Sequence, residues 1–140
     1  MTKVRLDELK QALGQRRPPA AKSEAQYKRE LVAAINLLPG GRARRIEDRF
    51  AIGVLDLIIK LPGAETVLAE GKLIDGYLFG PTAAQYEEGK KWSDAYVGCI
   101  LLGWKNGQMF VAPWVKMADC RQCFTRPELA DVTALMEFLR

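Results

Sequence analysis

Two carboxylates and an amine interrupt otherwise apolar runs near the middle of the chain. Asp56 lies within Val54-Leu55-Asp56-Leu57-Ile58-Ile59, and Glu70 and Lys72 close the run Thr66-Val67-Leu68-Ala69-Glu70-Gly71-Lys72. A charge inside an apolar strand is costly unless something pairs with it. Both runs read as strands, and Leu61-Pro62-Gly63-Ala64 reads as the turn that joins them into an antiparallel hairpin. Side chains alternate along a strand, so Glu70 and Lys72 share a face. Fourteen residues separate Asp56 from Glu70, a span that the hairpin folds back on itself, so the two carboxylates are expected side by side.

Two adjacent carboxylates repel each other, and a divalent cation relieves the repulsion. Asp56 and Glu70 offer the hard oxygen ligands that suit Mg²⁺ or Mn²⁺, and the carbonyl of Gly71 could add another. Lys72 would then orient or deprotonate a water, or neutralise charge on a phosphate. The chemistry expected is in-line attack of water on a phosphodiester. The chain has no histidine. That excludes Ser-His-Asp and Cys-His mechanisms as well as His-ligated metals, and leaves acid–base work to carboxylates, lysine and a metal.

Asp56 followed by Glu70-Gly71-Lys72 resembles the D…(D/E)-x-K signature of PD-(D/E)xK nucleases. In more detail the chain resembles the small phage and bacterial VRR-NUC members, which are akin to Holliday-junction resolvases. There a Gly-Val-Pro-Asp-Leu strand precedes Glu-x-Lys and a helix bearing glutamine. Here Gly53-Val54-Leu55-Asp56-Leu57 has Leu55 in the place of proline, and Gly71 fills a position that is more usually apolar. The segment Leu78 to Gln85 resembles the family's threonine- or serine-led helix, and Tyr96-Val97-Gly98-Cys99-Ile100-Leu101 resembles the strand that follows it. The resemblance covers residues 23–112. It implies a restriction-endonuclease-like α/β core, a central mixed sheet flanked by helices. It also implies a metal-dependent endonuclease of DNA, with branched or flapped DNA as one open substrate and RNA as another. A bacterial cytoplasm is the implied setting, with a phage source left open. Two other readings stay open. One is a nuclease-fold protein that binds nucleic acid or another protein without cutting; the other is an ordinary α/β domain in which Asp56 and Lys72 form a buried salt bridge.

The family also uses a glutamate from its N-terminal helix, for which Glu24 and Glu30 are the candidates here. At about 100° per residue, Glu24 falls about 20° from Leu31, whereas Glu30 falls about 100° off that stripe. Glu24 is therefore expected to face the sheet and join the catalytic and metal-binding set, with a capping role as the alternative. Gln85 would lie in the first turn of its helix near Lys72, either bonding the water or lysine or simply facing solvent.

The remaining elements must hold these groups in place. Ser23 reads as an N-cap, and apolar residues at helical spacing (Tyr27, Leu31, Ala34, Ile35 and Leu38) predict a helix that Pro39-Gly40-Gly41 ends. Arg42 to Phe50 reads as an irregular or edge strand, and Asp75 to Pro81 as a loop. A helix is expected from Thr82 to about Ala95, then strands at residues 97–102 and 109–112 around an Asn106-Gly107 turn, and a last helix from near Pro127. The order predicts an α/β sandwich with its sheet at the centre. Residues 23–140 are expected to form one nuclease-like domain, preceded by a flexible or helical arm at 1–22 that contains Arg16-Arg17-Pro18-Pro19.

With 140 residues, 49% of them hydrophobic, the chain is long enough to bury a core without disulfides. A net charge of +4 and a pI near 9.0 lean mildly toward polyanionic partners. Arg42, Arg44, Arg45 and Arg49 form the densest basic cluster, suited to positioning phosphates, with a solvated loop as the alternative. Cys120 and Cys123 form a lone C-x-x-C, too few ligands for a structural zinc, and read as reduced thiols in a late turn. The odd cysteine count fits a reducing cytoplasm, and no apolar run is long enough to span a membrane. Trp92, Trp104 and Trp114 read as core or rim residues. A junction cutter would need two active sites, and hence a homodimer.

Overall fold

The computed structural model describes residues 22–46, 53–126 and 132–139. The arm at 1–21, Arg49 and the start of the last helix lie outside the described residues.

Ser23 caps the first helix, α1 (Glu24–Asn36), through a capping box: its side chain accepts from the Gln26 N–H, and Gln26 reaches back to the Ser23 N–H. Leu31 and Ile35 are fully buried on the stripe that meets the sheet. The Asn36 amide then makes two hydrogen bonds to the backbone of Ala43, at 3.1 and 2.8 Å, which fixes the next strand to the helix end.

That strand is β1 (Arg42–Arg45), followed by β2 (Leu57–Lys60), β3 (Val67–Leu73), β5 (Gly98–Lys105), β6 (Gln108–Pro113) and β8 (Phe124–Arg126). They form one sheet in the order β1-β2-β3-β5-β6-β8, in which only β3 and β5 run parallel. The crossover between that parallel pair is α2 (Ala83–Asp94). Two short strands, β4 (Leu78–Phe79) and β7 (Ala118–Asp119), pair outside the main sheet. A 3-10 turn at Cys120–Gln122 and a helix α3 (Val132–Leu139) complete the described chain.

The two faces of the sheet are built differently. On one, Leu57, Ile59, Ala69, Ile100, Leu102 and Trp104 pack against Tyr27, Leu31 and Ile35 of α1 and Val132 and Leu135 of α3. On the other, Leu55, Leu68 and Cys99 form a small cluster, and Leu101, Phe110 and Ala112 form a second with Phe79, Ala118 and Cys120. Here α2 is seated on Trp114, whose ring stacks on Tyr86 at 6.3 Å and whose Nε1 donates to the Tyr86 carbonyl at 3.2 Å. A Cβ on Gly89 would lie 2.3 Å from the Trp114 ring, so only glycine admits this seat. This is the expected mixed sheet flanked by helices.

Three local expectations change. Asp56 is not inside a strand, because β2 begins only at Leu57. Residues 75–81 are not wholly loop, since Leu78 and Phe79 pair with Asp119 and Ala118. Two residues are too few to show a period, and their partners lie 41 and 39 positions away in sequence. Of the irregular or edge strand expected over 42–50, Arg42–Arg45 form the edge strand β1 and residues 47–50 lie outside the described residues, while strand β8 adds a sixth member that composition did not mark. The thiols of Cys99, Cys120 and Cys123 are all free, and Cys120 is buried in the second cluster.

Candidate active site

The site lies in a fork of the sheet. The β2–β3 ladder ends at the pair Leu57↔Ala69, while β3 continues to Leu73. Beyond the fork, the β3 N–H groups that would have paired with β2 need other acceptors. Asp56 Oδ2 accepts the Gly71 N–H at 3.2 Å, and Glu24 Oε1 accepts the Leu73 N–H at 3.2 Å. In return, Glu70 Oε2 accepts the Asp56 N–H at 3.2 Å, and the Asp56 carbonyl accepts the Ile46 N–H at 2.7 Å. Side-chain carboxylates thus replace the missing ladder, which is why Asp56 stands just outside its strand and still beside Glu70.

Glu70 is 1% exposed and is held from two directions. Gln85, in the first turn of α2, donates to Oε1 at 2.8 Å, and Lys72 Nζ lies 3.2 Å from the same oxygen. The Gln85 side-chain oxygen Oε1 accepts the Thr82 N–H at 2.9 Å in a second capping box, which locks the rotamer that aims its Nε2 at Glu70. Gly53, at φ +87°, lies so near the Ala84 carbonyl that a Cβ would approach it to 2.7 Å. The segment leading to Asp56 is thereby pressed against the N-terminus of the helix that carries Gln85. Burial, reinforced by the neighbouring Asp56, pushes the Glu70 carboxyl up to about 8 against the opposing pull of Lys72.

Of the residues singled out from sequence, the fork gathers Glu24, Asp56, Glu70, Gly71, Lys72 and Gln85. Glu30 is not there, for it pairs with Lys22 at 2.9 Å on the outer side of α1. Glu24 reaches the centre only through an intermediary. Lys28 Nζ donates to Glu24 Oε2 at 3.0 Å and to Asp56 Oδ2 at 2.5 Å, and the residue is 4% exposed. Among the described residues, no three acidic or cysteine side chains close up into one metal-binding group. The expectation that Glu24 joins Asp56 and Glu70 around an ion therefore meets an ammonium standing between Glu24 and Asp56.

Sequence reasoning missed Lys28, although a signal existed. Lys28 falls about 20° from Ile35 on the helix, inside the apolar stripe and one turn after Glu24. Its position also accounts for Gly71: a Cβ there would lie 3.0 Å from Lys28 Cε and 2.6 Å from the Trp104 ring. Trp104, 2% exposed, stacks on Tyr27 at 5.5 Å beneath the lysine stem.

The basic cluster divides by strand alternation. Arg42 and Arg44 lie opposite Lys60 and Ile58, on the face that also carries Leu68 and, farther along β3, Glu70 and Lys72. With Thr66 they line a groove of about 330 Å³. Ala43 is buried toward α1, and Arg45 shares its side. Of the tryptophans, Trp104 is core, Trp114 is the seat of α2 and Trp92 is largely exposed.

The backbone resembles that of the Holliday junction resolvase Hjc of the archaeal hyperthermophile Archaeoglobus fulgidus, at a TM-score of 0.57 over 81% of this chain and 97% of that chain, with 13% sequence identity. The fold is restriction-endonuclease-like. No protein-family model matches the chain, and no curated protein matches it in sequence. Among the described residues, the fork between β2 and β3 brings together acids, amines and an amide from three separate elements.

Proposed function

We propose that the protein is a divalent-metal-dependent nuclease that hydrolyses phosphodiester bonds in DNA. The observation that carries this reading is the pairing of buried Glu70 with half-buried Asp56, with Lys72 and Gln85 on the same Glu70 oxygen. The donor set fits a hard divalent ion: the Glu70 carboxyl is pushed up to about 8 by burial and then by its neighbour Asp56, so the pair calls for a positive charge. Asp56 and Glu70 would hold Mg²⁺ or Mn²⁺, with the Gly71 carbonyl, which shares a strand edge with the Gly71 N–H, as a further oxygen. Such an ion supplies Lewis acidity and neutralises charge on the scissile phosphate.

The chain's own residues have separate tasks. Gln85 holds Glu70 Oε1 in place, and the capping box holds Gln85. Lys72 is partly exposed, so its ammonium can meet solvent and the incoming phosphate while it stays beside Glu70. There it orients the attacking water and offsets the negative charge that grows on the phosphate. Arg42, Arg44 and Lys60 line the path by which a phosphate backbone would reach the site. The likeness to a resolvase makes branched DNA the first substrate to try; a four-way junction would require paired sites in a homodimer.

The test is incubation with Mg²⁺ or Mn²⁺ and labelled linear, flapped and four-way DNAs, alongside Lys72→Ala and Asp56→Asn. Metal-dependent product from the native protein, absent from both variants, is the expected result. Binding without product on every DNA would move the reading to a nuclease-fold protein that binds and does not cut.

A further inference from the structure

Lys28 is a lysine in the wrong place for an ordinary helix surface. Its side chain is 5% exposed and lies against Gly71, where a Cβ would come within 3.0 Å of Lys28 Cε and 2.6 Å of the Trp104 ring. Burying an ammonium demands compensation, and here two carboxylates supply it: Glu24 at 3.0 Å and Asp56 at 2.5 Å. Lys28 and the Gly71 N–H both bond Asp56 Oδ2, so that oxygen is committed and Oδ1 is the one left to meet an ion. Glu24 is committed as well, with Oε2 on Lys28 and Oε1 on the Leu73 N–H.

We propose that Lys28 is a positioning residue that sets the composition of the metal site, so that one divalent ion binds between Asp56 and Glu70 while Glu24 is held out of its coordination sphere. This rests on the metal-dependent reading above and goes beyond it. The argument is one of charge and room. Three carboxylates around one fork would draw in more positive charge than one divalent ion carries. A buried ammonium supplies that charge permanently, on the α1 side, and fixes Asp56 from behind. Glu24 then serves as the anchor of Lys28 and the acceptor for Leu73, not as a ligand. Gly71 is part of the same arrangement, because any side chain there would occupy the space that the lysine stem fills.

The experiment is calorimetric titration of the DNA-free protein with Mn²⁺, which reads affinity and stoichiometry without reference to turnover. Glu24→Gln keeps an oxygen for the Leu73 N–H and keeps Lys28 on Asp56, so it should fold and bind one Mn²⁺ within about twofold of the native affinity. Lys28→Gln removes the ammonium and releases Glu24, so Mn²⁺ should bind about tenfold more tightly or with a second ion. That gain should vanish in the Lys28→Gln, Glu24→Gln double variant. A tenfold loss of affinity in Glu24→Gln alone would show Glu24 to be a ligand and overturn the proposal, whether or not Lys28→Gln folds. Unchanged affinity in a folded Lys28→Gln would overturn it too, while metal-dependent cleavage by the native protein would leave the nuclease reading standing. Absence of Mn²⁺ binding to every variant, with no cleavage, would remove both.

Discussion

At the scale of single residues, the site is governed by one carboxyl that is harder to ionise than its neighbours. Glu70 is buried beside Asp56, and its carboxyl is pushed up to about 8. Without metal, the folded protein therefore holds a proton there at neutral pH that the unfolded chain would release. A group whose pKa is raised on folding contributes stability below its unfolded pKa and loses it as the pH rises through the folded value. The metal-free protein should thus lose stability between about pH 5 and about pH 9, and Glu70→Gln should flatten that loss. A bound cation must displace the same proton, so apparent Mn²⁺ affinity should rise by about tenfold per pH unit up to a pH of about 8 and then level off. Thermal melts in chelator and Mn²⁺ titrations across this range measure both. A flat Mn²⁺ affinity over the range would mean that Glu70 is already ionised in the folded protein. What the sequence showed at this scale was the set of charges that had to be explained: Asp56, Glu70 and Lys72 stood out because their neighbours are apolar. Lys28 did not, because a lysine on a helix is ordinarily solvated and its burial depends on Gly71 and Trp104, which come from other elements.

At the scale of elements, each charged group is placed by a device that also has a purely structural task. The two capping boxes aim Gln26 and Gln85 at their own N-caps, and the second leaves the Gln85 amide facing Glu70. The hairpin that pairs Leu57 with Ala69 was readable from two apolar runs around Pro62-Gly63. That β2 would stop at Leu57 was not, since the stop is caused by side-chain carboxylates taking over β3 amides, a tertiary effect with no local period. Helix phase did separate the two glutamates of α1: Glu24 meets the fork and Glu30 meets Lys22. Turnover should accordingly fall by about tenfold in Glu24→Ala, which strips Lys28 and the Leu73 N–H of their acceptor, and stay within about twofold in Glu30→Ala, a difference read as transition-state free energy from kcat/KM. Comparable small effects would show that the α1 carboxylate plays no part in the reaction. The seat of α2 supplies an independent check. A Cβ on Gly89 would lie 2.3 Å from the Trp114 ring, so Gly89→Ala must push the helix off its seat or displace the tryptophan. Overpacking of this kind costs about 1–3 kcal/mol. Chemical denaturation should show that loss, and activity in the folded fraction should fall as well, because Gln85 moves with the helix. Full activity in that fraction would mean that the position of Gln85 is not critical.

At the scale of the whole molecule, the sheet carries charge across its thickness. Glu24 and Lys28 come from the α1 face, Gln85 comes from the α2 side, and Asp56 in the fork joins the two. A cluster of acids repels a polyanion, so on the proposed nuclease reading the same molecule would have to provide cations along the route of an incoming nucleic acid. The face of β1 and β2 that carries Ile58 and Lys60 provides them. Arg42 and Arg44 project into the groove there, alternate along the strand, and so stand about 7 Å apart. Arg45 points to the opposite side, toward the buried Ala43, and belongs to a different surface even though it adjoins Arg44 in sequence. Of the three described arginines of the cluster seen in the sequence, only Arg42 and Arg44 therefore lie on this face, a distinction that only strand geometry makes. Each phosphate contact contributes about −0.9 to the slope of log affinity against log salt. In a Lys72→Ala background that binds without cutting, Arg42→Ala with Arg44→Ala should weaken DNA binding to a similar degree across sequences and flatten that slope by roughly two units, whereas Arg45→Ala should leave it nearly unchanged. Filter binding or anisotropy at several salt concentrations reads the slope directly. A larger effect from Arg45→Ala than from the Arg42 and Arg44 pair would place the nucleic acid on the α1 face, and the groove beside Ile58 and Thr66 would then have no part in holding it.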